Sequence, residues 1–220
     1  MISIELQILK RKNMEKKMKV VILSNYQKSK NTPISSMLIL NSKPIIYYVI
    51  SHFLKSGYDD FILTIPKGNS SIKEYLIKIA SAENGYVIDE RNVYFEKISK
   101  KFRILILERE CDEDLARTLE FASKYIGENA FIFTYGDILP CVDIEKTVKF
   151  HKENGKVATV AAYQLPSLER WINTGTIVFE NEALDYIDKN DRSFERDTLV
   201  KIAEDGELGI CPIEVKIRAI

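Results

Sequence analysis

The stretch Met18-Lys-Val-Val-Ile-Leu23 opens the pattern that decides the fold of this chain. It is almost uniformly apolar and contains three β-branched residues in a row, which is typical of a strand buried on both faces of a sheet. Comparable runs follow along the chain. They predict strands over 60–65, 102–107, 130–135, 157–163 and 173–179, with a short strand over 208–211.

Helical patterns separate these strands. The clearest begins at Pro44, carries an apolar stripe that includes Ile46, Val49 and Phe53, and stops before Gly57, which suits a position just after a helix end. Further helices are predicted over 71–82, 112–125, 143–153, 181–188 and 193–205. This alternation predicts an α/β protein with three layers, in which helices cover both faces of a mostly parallel, mixed sheet.

The length of the chain favours one domain. Its 220 residues with 45% apolar content are enough for a single sizeable core. We expect the domain to span residues 18–220. Residues 1–17, which include five Lys or Arg residues, are predicted to be an N-terminal extension, and their role cannot be read from the sequence.

Composition excludes several classes of function. The 32 basic residues balance 32 acidic ones, so no global field favours nucleic acid or a membrane surface. The apolar runs are far shorter than the roughly 20 residues of a membrane span. The three cysteines are widely spaced and lack a CxxC pair, which argues against a zinc site or a disulfide framework and favours a cytoplasmic location.

Four stretches together carry a family resemblance. The first joins the strand at 18–23 to Ser42-Lys-Pro-Ile-Ile-Tyr-Tyr48, and the second is Phe131-Ile-Phe-Thr-Tyr-Gly-Asp137. The third is Trp171-Ile-Asn-Thr-Gly-Thr-Ile-Val-Phe179, and the fourth runs from Phe194 to Leu208. In this order and spacing they resemble the sugar nucleotidyltransferase superfamily, and most closely the glucose-1-phosphate cytidylyltransferases.

The resemblance implies a fold and an activity. The fold would be the Rossmann-like nucleotide-diphospho-sugar transferase fold. The activity would be transfer of CMP from CTP to a sugar 1-phosphate or a similar phosphorylated acceptor, with release of pyrophosphate, in nucleotide-sugar biosynthesis. Mg²⁺ would be the cofactor, and the protein would associate with itself or with an active homologue.

Asp137 is the candidate metal ligand. It follows a predicted central strand, at the edge of the sheet where open α/β proteins bind ligands. The matching aspartate of the family holds magnesium, and a carboxylate is a suitable ligand for that hard cation. The alternative is that Gly136-Asp137 forms a turn in which the aspartate bonds to its own backbone.

The phosphate-binding loop departs from the family pattern. Where relatives have a sequence like GGxGTRL, residues 24–32 contain no glycine. Ser24, Asn25, Lys28 and Lys30 remain candidates for binding the nucleotide, and the alternative is an ordinary solvated loop. The pair Ser35-Ser36 stands where a lysine of the family is expected.

Three other residues complete the candidate site. Arg117 lies where the family has a helix near the nucleotide, although a solvent-facing arginine is the alternative. Asn173 and Gly175 are candidates for binding the phosphorylated substrate, and they are also common structural residues in strands. The family's second metal carboxylate and its Glu-Lys-Pro segment have no counterpart in the sequence.

These departures leave three hypotheses open. The first is a cytidylyltransferase-type enzyme. The second is a catalytically impaired pseudo-nucleotidyltransferase that acts as a binding or regulatory subunit. The third is altered chemistry on another phosphate-bearing substrate, in which Lys28, Lys30 and Asp137 have different roles.

Overall fold

The computed structural model describes most of the chain. The described residues are 18–24, 35–68, 70–82, 86–87, 92–97, 100–109, 115–165, 170–188, 191 and 194–214. Asn25, Lys28 and Lys30 lie outside them, as do residues 1–17.

A nine-stranded mixed sheet organises the described residues. Its strands are β1 (Lys19–Leu23), β4 (Asp60–Pro66), β5 (Tyr86–Val87), β6 (Asn92–Lys97), β7 (Lys100–Arg109), β8 (Phe131–Tyr135), β9 (Ala158–Leu165), β10 (Arg170–Phe179) and β11 (Leu208–Pro212). Their spatial order is β11-β9-β10-β8-β1-β4-β7-β6-β5. A separate two-stranded hairpin is formed by β2 (Ile39–Leu40) and β3 (Lys43–Pro44).

The centre of the sheet is parallel. β1 lies between β4 and β8, and Val20 is opposite both Phe61 and Ile132. β7 extends the parallel part beyond β4, and β11 pairs parallel with β9. β10 is antiparallel to both β8 and β9, and β6 is antiparallel to β7. The predicted mostly parallel, mixed sheet is therefore confirmed.

Helices cover both faces of the sheet, as the sequence pattern predicts. Helices α1 (Ile45–Lys55), α2 (Ser71–Ala82) and α4 (Ile144–Asn154) pack on one face, and α3 (Leu115–Ile126) and α5 (Leu199–Glu204) on the other. On the first face α1 buries Ile46, Val49 and Phe53 completely. The apolar stripe seen in the sequence is thus the contact surface of this helix.

The strand directions define two edges. β1, β4, β7, β8, β9 and β11 all point the same way, and we call the edge at their C-terminal ends the carboxyl edge and the opposite one the amino edge. α1 and α4 return the chain from the carboxyl edge to the amino edge. None of the helices in the described ranges has the length and apolarity that a membrane span needs.

Two of the predicted helices have another form in the structure. The segment predicted as a helix over 181–188 is a 3₁₀ helix over Asn181–Tyr186. The helix predicted over 193–205 is divided into a π-helix, Phe194–Thr198, followed by α5. The sequence analysis also missed β2, β3, β5 and β6, which are short or antiparallel strands with weak apolar runs.

Candidate active site

Three neighbouring strand ends bring the candidate residues to the carboxyl edge. Ser24 follows β1, Asp137 follows β8, and Asn173 and Gly175 lie in β10 just before the residues that pair with β8. Because β1, β8 and β10 are adjacent in the sheet, these residues share one region of its edge. This is the region where open α/β sheets bind their ligands.

Ser24 is held entirely by contacts within the protein. Its backbone N–H donates to the carbonyl oxygen of Thr64 at 3.0 Å. Its hydroxyl is 2.8 Å from the hydroxyl of Ser36, and both serines are fully buried. Ser36, one of the two serines at the position of a family lysine, thus anchors the 3₁₀ turn Ser35–Met37 to the end of β1.

Arg109 is a charged residue at this edge that the sequence analysis missed. It is the last residue of β7, it is only 4% exposed, and its Nη2 atom donates to the carbonyl oxygen of Ser24 at 3.3 Å. The side chain therefore reaches from β7 across β4 to β1. The available signal was its position two residues after the apolar run that ends at Leu107, but the charged residues on either side of it weakened that signal.

Gly136 fixes the turn that carries Asp137. The N–H of Gly136 donates to the carbonyl oxygen of Leu23 at 2.7 Å, which joins the turn to the end of β1. A Cβ atom at this position would lie 3.3 Å from that carbonyl oxygen and also from side-chain carbons of Ile22 and Ile46. The close approach explains why a residue without a side chain stands here.

Asp137 itself is half-buried, and its Oδ1 atom is shielded from solvent. Among the described residues, no group of three or more His, Cys, Asp or Glu side chains could hold a metal ion together. Within this part of the chain, a cation at Asp137 would therefore need further oxygen ligands from elsewhere. Substrate phosphates commonly provide such ligands for Mg²⁺.

The segment of β10 beyond β8 has an irregular backbone. Gly175 adopts a φ of +80°, and the pairing of β10 with β9 shifts between Asn173 and Ile177. The side-chain oxygen of Asn173 accepts a hydrogen bond from the N–H of Gly175 at 2.8 Å, and the hydroxyl of Thr174 donates to Ala161 at 2.7 Å. These bonds hold Asn173 at the carboxyl edge, beyond Tyr135.

The remaining candidates have different outcomes. Arg117 is exposed in the first turn of α3, and that turn begins near the carboxyl edge because α3 follows β7. Asn25, Lys28 and Lys30 lie outside the described residues, so their predicted role in binding a nucleotide stays a prediction. The structure thus brings Ser24, Asp137, Asn173 and Gly175 to one region and adds Arg109 to it.

Comparisons with known proteins agree with this architecture. The sequence is 24% identical over 221 residues to the probable glucose-1-phosphate cytidylyltransferase of Bacillus subtilis (strain 168), covering 88% of this chain and 87% of that protein. It is 26% identical over 197 residues to the glucose-1-phosphate cytidylyltransferase of Salmonella typhimurium (strain LT2), covering 78% and 77% of the two chains.

Structural similarity extends over nearly the whole chain. The crystal structure of a putative glucose-1-phosphate thymidylyltransferase from Bacillus anthracis in complex with sucrose superposes with a TM-score of 0.67 at 14% identity. The match covers 90% of this chain and 87% of that one.

The sequence profile of the family called nucleotidyl transferase matches residues 28–169. The chain therefore belongs to the nucleotidyl transferase family and has its Rossmann-like fold, as the sequence pattern predicts.

Proposed function

We propose that this protein is a nucleotidyltransferase that transfers CMP from CTP to a sugar 1-phosphate or a similar phosphorylated acceptor. An acceptor phosphate oxygen would form a bond to the α-phosphorus of CTP. The bond from that phosphorus to the β-phosphate oxygen would break, and pyrophosphate would leave. CTP is favoured because two similar curated proteins are named cytidylyltransferases.

The observation that carries this proposal is the position of Asp137. Asp137 follows β8 directly after Gly136, whose N–H donates to the carbonyl oxygen of Leu23 at the end of β1. Magnesium is commonly held by one or two carboxylates together with substrate phosphates, so a single aspartate fits that mode of binding. Bound Mg²⁺ would neutralise charge that develops on the phosphates.

Two other groups would assist at the same edge. Arg109 contributes a positive charge within one hydrogen bond of Ser24, and a guanidinium group suits phosphate oxygens. Asn173 offers its side-chain amide on the β10 side of Asp137, where the acceptor would bind. A cytoplasmic location and association with itself or with an active homologue belong to the same proposal.

One observation favours the alternative of a catalytically impaired binding or regulatory subunit. Ser36 stands at the position of a family lysine, and its hydroxyl is buried against Ser24. A serine held in this way supplies no positive charge to a phosphate. Losing one preorganised donor to the transition state commonly reduces turnover by about 10²–10³-fold, so binding could persist while transfer is slow or lost.

Calorimetric titration tests these proposals. CTP, UTP, ATP and dTTP are titrated separately with Mg²⁺ into the unmodified chain, Asp137→Asn and Glu153→Gln. The last variant removes a carboxylate from an exposed pair with Lys149 on α4 and serves as a charge control. We expect Mg²⁺-dependent binding of CTP that Asp137→Asn abolishes and Glu153→Gln leaves unchanged.

The outcomes separate the hypotheses. Pyrophosphate release with a phosphorylated acceptor, lost in Asp137→Asn, would support the enzyme. Specific nucleotide binding without release for any acceptor tested would favour the regulatory subunit. If none of the four nucleotides binds, both proposals for a nucleotide site are refuted.

A further inference from the structure

A cavity of about 520 Å³ opens at the amino edge, the edge opposite the candidate active site. Met18 and Ala130 contribute to it from the starts of β1 and β8, and Tyr58 from the turn after α1. Its polar walls include Glu128, Lys152 and Glu180. The volume lies within the range of about 300–1,000 Å³ that is usual for small-molecule sites.

A buried histidine holds one carboxylate of the cavity in place. The side chain of His151 is completely buried, and its Nε2 atom lies 3.1 Å from Oε1 of Glu180, whose own side chain is 45% exposed. The Nδ1 atom of His151 is 2.8 Å from the hydroxyl of Thr159. The backbone N–H of Glu180 also donates to Val157 at 2.8 Å. One side of the carboxylate is thus anchored while much of the side chain remains accessible.

The protonation state of His151 is consistent with this arrangement. Burial lowers the pKa of His151 from its ordinary value of 6.5, and the neighbouring Glu180 offsets part of that effect. The imidazole is therefore neutral at pH 7, and with its proton on Nε2 it donates to Glu180. A neutral donor fixes the carboxylate without cancelling its negative charge.

Helix ends contribute a partial negative charge at the amino edge, where the last turns of α1 and α4 also carry Lys55 and Lys152. α1 and α4 both end there, and the last carbonyl groups of a helix carry a partial negative charge. α3 ends at the same edge, where the ammonium group of Lys19 donates to the carbonyl oxygens of Tyr125 and Ile126. The chain therefore already places an ammonium group on a helix end at this edge.

We propose that the cavity is a binding site for a small organic cation with one ammonium group and a short apolar chain. The ammonium group would pair with Glu180 and Glu128, whose two negative charges exceed the single positive charge of Lys152. The apolar chain would lie against Met18, Ala130 and Val148. This site is independent of the proposed nucleotide transfer, because it occupies the other edge of the sheet.

The test is an NMR titration of the ¹⁵N-labelled full chain with butylammonium chloride. Pentan-1-ol is the neutral probe of similar size, and sodium chloride controls for ionic strength. We expect saturable shifts of the amide signals of Gly57, Asn129 and Glu180 with butylammonium and not with either control. Glu180→Gln should weaken binding about tenfold or more, since each factor of ten corresponds to about 1.4 kcal/mol, roughly one charge-assisted hydrogen bond.

Two matched variants make the result decisive. Glu153→Gln removes the same charge from α4 outside the cavity and should leave the affinity unchanged. Glu128→Gln changes the second carboxylate without altering the contact between His151 and Glu180, and should also weaken binding. The proposal is overturned if pentan-1-ol gives the same shifts, if the shifts never saturate, or if Glu180→Gln and Glu128→Gln both bind as tightly as the unmodified chain.

Discussion

Gly175→Ala tests whether the irregular segment of β10 depends on a residue without a side chain. Gly175 has a φ of +80°, a conformation that costs residues with a Cβ about 1–2 kcal/mol. The added Cβ would also lie 2.9 Å from Cδ2 of Tyr135 and 3.0 Å from Cδ1 of Ile138. Tyr135 is restrained by a hydroxyl contact with Glu195 and by an edge-to-face contact with Phe133, so it cannot move away freely.

A matched variant separates the cost of the positive φ from the cost of the close contacts with Tyr135 and Ile138. Gly127 follows α3 with a φ of +82°, and a Cβ atom added there would meet no heavy atom of the described residues within 4 Å, apart from its chain neighbours. Gly127→Ala should therefore show the conformational cost alone, about 1–2 kcal/mol. Gly175→Ala should show this cost plus an overpacking cost of about 1–3 kcal/mol, giving about 2–5 kcal/mol in total.

Urea unfolding at equilibrium measures both changes, because the midpoint and the slope together give the free energy of unfolding. The expected result is a clearly lower midpoint for Gly175→Ala than for Gly127→Ala, with similar slopes. Equal midpoints for the two variants would refute the argument that Tyr135 and Ile138 confine this position. Loss of nucleotide binding in Gly175→Ala would have to be judged against this change in stability.

Three further predictions concern stability. Burial lowers the pKa of His151, so its contribution to the free energy of unfolding is present above pH 6.5 and is lost as the pH falls toward the folded pKa. The free energy of unfolding should therefore decrease between pH 7 and pH 5. His151→Gln should make this decrease smaller, as measured by urea unfolding at each pH. Burial raises the pKa of Asp191, but hydrogen bonds from Lys201 and Thr198, both at 2.7 Å, outweigh this effect and leave the pKa lowered. Asp191→Asn should therefore reduce the free energy of unfolding by about 1–3 kcal/mol and lower the Tm. An unchanged Tm would contradict this prediction. The buried hydroxyl of Thr176 has no hydrogen-bond partner among the described residues. Thr176→Val should therefore raise the free energy of unfolding by about 1 kcal/mol. A lower urea midpoint for this variant would show that the hydroxyl makes a hydrogen bond.

The central strands and helices could be predicted because, in them, local residue preferences and long-range packing favour the same secondary structure. The apolar run at 19–23 is observed as β1 with the same bounds, and Asp143 is observed to cap α4 by accepting from the N–H of Lys146 at 2.9 Å. The hairpin of β2 and β3 was missed because its turn uses Asn41 and Ser42, with φ values of +46° and +66°, instead of glycine. Without glycine, the usual sequence signal of a tight turn is weak.

The candidate site was predictable only where it follows from topology. Asp137 could be assigned to the carboxyl edge because residues that follow buried parallel strands share that edge. Asn173 lies near the start of the antiparallel strand β10 and was a candidate only through the family resemblance. Arg109 could not, since its burial depends on a contact with Ser24, 85 residues earlier in the chain. The contact of His151 could not be predicted for a similar reason, because its partner Glu180 is 29 residues away and no local pattern connects them.

The contacts of Ser24 bear on how strongly the carboxyl edge can bind phosphate. In a phosphate-binding loop, backbone N–H groups point at the ligand. Here the N–H of Ser24 donates to Thr64, its carbonyl oxygen accepts from Arg109, and its hydroxyl is bonded to Ser36. The backbone N–H of Ser24 could bind a phosphate only if its bond to Thr64 broke, at a net cost of about 0.5–1.5 kcal/mol for a typical hydrogen bond. Nucleotide affinity should therefore depend more on Asp137 than on Ser24, and Ser24→Ala should weaken binding less than Asp137→Asn does in the same calorimetric titration.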